Sequence, residues 1–79
     1  MTKQTVLEIF ASNSQWMAPD EIIARLPNFH HRSSVYSYLF RLHRQQGLLQ
    51  RGRLGGRIVY RLSPKGVERL AFFRSRTRR

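Results

Sequence analysis

The sequence predicts one small domain, mostly α-helical, with a single β-hairpin. Three observations predict it. Apolar residues recur at helical spacing in separate stretches along the chain. A glycine-rich segment divides two short runs of strand character near the middle. The chain has 79 residues and no cysteine, so it has room for one core and no disulfide framework. The expected order is helix, stub, helix, helix, hairpin, helix. A hydrophobic fraction of 41% suits an ordered globule. A single core at this length leaves a thin stability margin, so tight helix packing or an oligomeric partner is expected to support it.

The first helix spans about Thr2 to Ser12, with Val6, Leu7 and Phe10 on its apolar stripe and Ile9 beside them. Ser12-Asn13-Ser14 stops it, because short polar side chains compete for the backbone. Gln15-Trp16-Met17 is too short for a helix and reads as an extended stub. Pro19 opens the second helix, since proline at the first helical position loses no useful hydrogen bond. Asp20 and Glu21 follow in the first turn, where the helix dipole favours negative charge. Ile22, Ile23 and Leu26 face one side, and Pro27 ends the helix. Asn28 to Arg32 form a loop. The third helix starts at Ser33 or Ser34, both good N-caps, and runs to about Gln46 before Gly47. Val35, Tyr38, Leu39 and Leu42 form its buried face. The opposite face carries Ser33, Tyr36, Ser37, Phe40, Arg41 and Arg44, an unusual set for a passive surface.

Leu48 to Arg51 and Arg57 to Leu62 are the expected strands, with Gly52-Arg53-Leu54-Gly55-Gly56 as the loop between them. In the second strand Ile58, Tyr60 and Leu62 alternate with Arg57, Val59 and Arg61, giving one apolar and one largely basic face. Ser63 caps the last helix and Pro64 takes its first position. Val67, Leu70 and Ala71 are expected to face the core, with Phe72 and Phe73 on the flanks. The domain is expected over residues 1–73, followed by a basic tail over residues 74–79.

Fifteen basic residues stand against four acidic ones, a net charge of +11. A field of that size selects a polyanionic partner. Residues 1–40 are balanced, whereas residues 41–79 hold twelve basic residues against Glu68 alone. Thirteen of the fifteen are arginine, whose planar fork matches phosphate and guanine. Catalysis finds little support: the acids are scattered, and the glycine-rich loop lacks the Lys-Ser/Thr of a nucleotide-binding loop. His30, His31 and His43 have no thiol or carboxylate nearby in sequence to complete a metal site, so His30 and His31 are assigned to phosphate contact or helix capping. Trp16 is assigned to core or hairpin packing. No cofactor, metal or small-molecule ligand is expected. No apolar run approaches the roughly 18–20 residues needed to cross a bilayer, and no secretory signal is read at the start, so a cytoplasmic protein is expected.

Taken in order, these elements resemble the winged helix-turn-helix regulators, especially the MarR, PadR and ArsR-like groups. The residues that carry the resemblance are Val35, Leu39, Leu42, Gly47, Leu48 and Leu49, then Tyr60-Arg61-Leu62-Ser63-Pro64-Lys65-Gly66 with Leu70. The resemblance covers roughly Val6 to Phe73. One departure is the connection from Pro27 to Arg32, which is longer than a tight helix-turn-helix turn. The resemblance implies that the third helix enters the major groove of double-stranded DNA and the hairpin acts as a wing on the backbone or minor groove. It puts Arg32, Ser33, Ser34, Tyr36, Ser37, Phe40, Arg41 and Arg44 on the groove side. The wing supplies Arg51, Arg53 and Arg57. Ser33, Ser34 and the first-turn amides then meet phosphate, Arg32 or Arg41 meets guanine, and Tyr36 and Phe40 pack on thymine methyls. A homodimer paired through the last helix, at Phe72 and Phe73, is the expected assembly.

The function these readings point to is a sequence-specific DNA-binding regulator that acts by occupying an operator, and not an enzyme. Alternatives are an RNA-binding or ribosome-associated winged helix, and a protein-interaction winged helix in a nucleic-acid-processing complex. A binder of left-handed duplexes finds no support, since the wing loop lacks an aromatic-proline pairing.

Overall fold

The computed structural model describes residues 1–13, 16–28 and 30–77. Expectations that fall on Ser14, Gln15, Phe29, Arg78 and Arg79 lie outside the described residues. The element order is α1 (Lys3–Asn13), α2 (Pro19–Arg25), α3 (Arg32–Arg44), β1 (Leu49–Leu54), β2 (Arg57–Leu62) and α4 (Pro64–Thr77). The two strands form an antiparallel hairpin, in register from Leu49 opposite Leu62 to Leu54 opposite Arg57. Met17 adds a one-residue third strand on the free edge of β2, exchanging two 2.8 Å backbone hydrogen bonds with Tyr60.

One core holds the elements together. It contains Val6, Leu7 and Phe10 of α1, Met17, Ile22 of α2, and Val35, Leu39 and Leu42 of α3. Leu48, Leu49, Tyr60 and Leu70 complete it. The helix signals in the sequence act as expected at several ends. The Thr2 hydroxyl accepts the Thr5 amide at the start of α1. Pro19 is the first residue of α2, and the Glu21 carboxylate accepts the Ala18 amide at 2.9 Å. Gly47 takes the left-handed conformation (φ 66°) that releases the chain from α3. Ser63 caps α4, accepting the Gly66 amide at 3.0 Å and donating to the Gly47 carbonyl at 2.6 Å.

Four details depart from the sequence expectation, each for a packing or backbone reason. First, α3 begins at Arg32 rather than at Ser33 or Ser34. His31 holds the extended N-cap geometry, and its carbonyl accepts the Val35 amide, so the serines lie inside the first turn. Second, the hairpin loop is the two-residue Gly55-Gly56 turn, with Gly52, Arg53 and Leu54 in β1. Both turn residues have positive φ, as a type I′ turn requires. Gly52 stays in the strand because the Trp16 ring lies on it; a Cβ there would stand 3.1 Å from the ring.

Third, the expected alternation in β2 breaks: Val59 is buried and Ile58 is exposed. Val59 pairs with Gly52, on the side that Trp16 covers, whereas Ile58 points to the other face and lines the open cleft beside α3. Fourth, α4 turns Gly66, Leu70 and Phe73 inward, rather than Val67, Leu70 and Ala71. Gly66 sits against the backbone of Leu48, and that approach fixes the helix rotation. Val67 is left 56% exposed and Ala71 is exposed as well. The helix also runs on through Arg74 to Thr77, and Arg74 binds Glu8 of α1 with two nitrogens.

Candidate nucleic-acid interface

Val35, Leu39 and Leu42 anchor α3 in the core, so the rotation of the helix is fixed and its far side must face water. That far side carries Ser33, Ser34, Tyr36, Ser37, Phe40, Arg41 and Arg44, all exposed. Tyr36 and Phe40, at 40% and 44% exposure, are large rings that the fold itself leaves uncovered. Arg32 stands at the start of the same helix, also exposed. The three hairpin arginines, Arg51, Arg53 and Arg57, are exposed on the wing beside it.

The structure gathers these residues into two groups along the junction between helix and wing. In the first, Arg51 of β1 reaches over the Phe40 ring, its guanidinium carbon 5.8 Å from the ring centroid. The Phe40 ring meets His43 edge-on at 6.4 Å. His43 in turn contacts the Tyr60 ring and hydrogen-bonds the Leu49 carbonyl through Nδ1 at 3.0 Å. A half-buried histidine thus ties the end of α3 to the base of the wing.

The second group centres on Asp20, in the first turn of α2. Arg32 Nη2 lies 3.1 Å from Asp20 Oδ1, and the Tyr36 hydroxyl donates to the same oxygen at 3.0 Å. Arg32 also donates to the Tyr36 hydroxyl at 3.2 Å. Arg57 approaches from the wing, with Nη2 3.8 Å from Asp20 Oδ2. The bond to Tyr36, and after it the Asp20 charge, pushes the Arg32 guanidinium further toward its charged form. A cleft of about 410 Å³ opens between helix and wing at this point, lined in part by Asp20, Arg32, Tyr36, Arg57 and Ile58.

Other candidates lie apart from these groups. Arg41, on the same outer face, joins neither group: its guanidinium carbon lies 5.7 Å from the centroid of the half-buried Tyr38 ring. Burial pushes the Tyr38 hydroxyl up, against the lowering effect of Arg41. Arg53 stands toward the tip of the wing, opposite Ile58. On the back of the wing Arg61 stacks on Trp16 at 4.4 Å and donates to Gln50 at 2.8 Å. Among the described residues no group of three histidine, aspartate, glutamate or cysteine side chains is placed to hold a metal ion.

Two features escaped the sequence reading. Asp20 was assigned only to the dipole of α2, and no local pattern connects it with Arg32, Tyr36 or Arg57. Arg61 stands in the sequence only as part of the largely basic face of the second strand, and no local pattern connects it with Trp16 or Gln50.

No protein-family model matches the sequence, and no curated protein matches it. Two solved structures share its architecture. A winged-helix DNA-binding protein from STIV superimposes with a TM-score of 0.75 at 16% identity, over 91% of this chain and 82% of that one. A second structure, described as "Possible transcriptional regulator for arsenical resistance", gives a TM-score of 0.63 at 23% identity, over 95% of this chain and 84% of that one. At these identities the likeness is one of fold, and the fold is the winged helix-turn-helix, with α2 and α3 as the helix pair and the β1–β2 hairpin as the wing.

Proposed function

We propose that this protein binds double-stranded DNA in a sequence-specific manner and regulates transcription by occupying an operator. The observation that carries the reading is the outer face of α3, where Tyr36 and Phe40 stay exposed among arginines and directly beside Arg51 and Arg57 of the wing. An aromatic and cationic helix face of this kind suits base edges and thymine methyls, while the wing cations suit the phosphate backbone. The fold neighbours, one a DNA-binding protein and one described as a regulator, support the same reading. In it, Ser33, Ser34, Ser37, Tyr36, Phe40, Arg41 and Arg44 meet the major groove, with Arg32 at the helix start. Arg51, Arg53 and Arg57 meet backbone or minor groove. The protein serves as a binding module with no reaction of its own, located with the nucleoid in the cytoplasm. No helix among the described residues is long and apolar enough to cross a membrane.

Pairing of two copies through α4 belongs to the same proposal, with its contact revised. Phe73 packs on the core, so Val67 and Phe72, at 56% and 52% exposure, are the apolar groups left for a partner. The test is a competition among duplex DNA, duplex RNA and single strands for the labelled protein, followed by selection of bound sequences from random duplexes. Preference for duplex DNA and enrichment of a defined site are the expected results. Equal binding of all three polymers, or no enriched site, contradicts the proposal.

A further inference from the structure

Four acidic residues serve this strongly basic chain, and the described contacts place them differently. Glu8 is bound by Arg74 on the α1–α4 side, and Glu21 caps the Ala18 amide. Glu68 lies exposed on α4. Asp20 alone among them contacts residues of the candidate interface: it accepts hydrogen bonds from Arg32 and Tyr36 and stands in a looser ion pair with Arg57. Its carboxylate is itself open to water, as are both guanidinium groups. An exposed ion pair of this kind adds little to folding stability. The carboxylate nevertheless reduces the net positive charge at the point where α3 and the wing converge on the cleft.

We propose that Asp20 is a specificity-determining residue of the DNA-binding face, acting as an internal competitor of DNA phosphate for Arg32 and Arg57. The inference rests on the DNA-binding reading above. An arginine nitrogen that faces a carboxylate is equally suited to phosphate, so the two ligands compete for Nη2 of Arg32 and Arg57. A duplex that offers backbone alone draws Arg32 and Arg57 off Asp20 and brings phosphate against an exposed carboxylate. Both consequences oppose binding. A duplex with the right bases is held by base contacts of α3, and Arg32 and Arg57 can meet it through their other guanidinium nitrogens while Nη2 of each stays at Asp20. The acid therefore acts chiefly against the unmatched sequence, and discrimination by repulsion of the wrong partner is the result.

The variant Asp20→Asn keeps an oxygen that can accept from Tyr36 and removes the charge. The measurement is fluorescence anisotropy of the full-length protein on two duplexes of equal length and composition, one enriched by selection and one scrambled, across about 50–200 mM salt. For Asp20→Asn, affinity for the scrambled duplex should rise about fivefold and its salt dependence should steepen by about two units of slope, as two arginines become available to phosphate. Affinity for the enriched duplex should change by less than about twofold, so the ratio between the two falls. Asp20→Glu should restore the wild-type slope. Equal gains on both duplexes, no change on either, or equal losses accompanied by a lower melting temperature each overturn the role of Asp20 while leaving DNA binding in place. A wild-type protein that binds neither duplex overturns the DNA-binding reading and this inference with it.

Discussion

Gly66 lies so close to Leu48 that a Cβ on the glycine would stand 2.1 Å from the Leu48 carbonyl oxygen. The contact joins the first turn of α4 to the chain between α3 and β1, and the Ser63 amide donates to the same carbonyl at 3.0 Å. Alanine in place of a helical glycine ordinarily favours the helix by roughly 0.5–1 kcal/mol. Here the sign reverses. Gly66→Ala should destabilise the domain by about 3 kcal/mol or more, because backbone rather than a flexible side chain must move. A urea denaturation curve measures it, and a midpoint equal to or above wild type rules out the close approach.

The cationic face sets the response to salt. With about six phosphates neutralised, log K against log salt should fall with a slope of about −5. Arg53→Ala should weaken binding to all duplexes alike and make that slope shallower by about one unit. A slope near zero for the wild-type protein, measured by anisotropy, contradicts a backbone-driven complex.

Arg41 and Ser37 sit on the part of α3 assigned to the groove. Arg41→Ala or Ser37→Ala should shift the preferred sequence, with a lost base contact costing about 1–3 kcal/mol on the matched site. Selection from random duplexes with each variant checks this. An unchanged preference with uniformly weaker binding assigns both residues to the backbone instead.

Val67 and Phe72 are the large apolar residues that α4 leaves exposed, and Phe72 lines a shallow cleft with Lys65, Glu68 and Arg69. Sedimentation of the protein with a symmetric duplex should show two copies per site, and Phe72→Ser should reduce this to one. Phe73→Ser should act differently and lower the melting temperature, since that ring packs on the core. A one-to-one complex in the wild type removes the pairing.

The ion pair between α1 and α4 predicts a pH effect. Hydrogen bonding from Arg74 holds the Glu8 carboxyl below its ordinary value. A lowered folded-state value means that the pair favours folding above the ordinary glutamate range and stops doing so as pH falls through the lowered value. Arg74→Gln should therefore have a lower denaturation midpoint than wild type at neutral pH, and the two midpoints should converge as pH falls below the ordinary glutamate range. The difference will be small, because both partners are exposed. A gap that widens in acid contradicts the assignment.

Sequence pattern was sufficient where structure is local. Pro19, Gly47 and Ser63-Pro64 mark helix ends through their own backbone chemistry, and the structure places ends at each. The buried stripe of α3 follows from spacing alone, which is why its outer face could be named residue by residue. Pattern failed where one residue depends on another far along the chain. Val67 scores as core on hydrophobicity, but the rotation of α4 is set by the Leu48 backbone against a glycine with no side chain to score. Gly52 reads as loop until Trp16 is known to lie on it. Asp20 is joined to Arg32 only after α2 and α3 have packed, and to Arg57 only after the wing has folded back.

The single bridge between Met17 and Tyr60 makes the hairpin a beam clamped at one end. From Tyr60 to the Gly56 turn the strand runs on for four residues, about 13 Å at the usual rise per residue, with Trp16 covering Gly52 near the clamp and exposed residues beyond. Deflection of such a beam grows toward the tip. Arg51, paired with Tyr60 at the clamp, lies over Phe40, while Arg53 and the Gly55-Gly56 turn are the part such a beam lets move most. The wing therefore combines a stiff root, which sets the lateral position of its first arginine, with a compliant end that follows whatever groove width it meets. Amide exchange should record that gradient, fastest at the turn and slowest beside Tyr60.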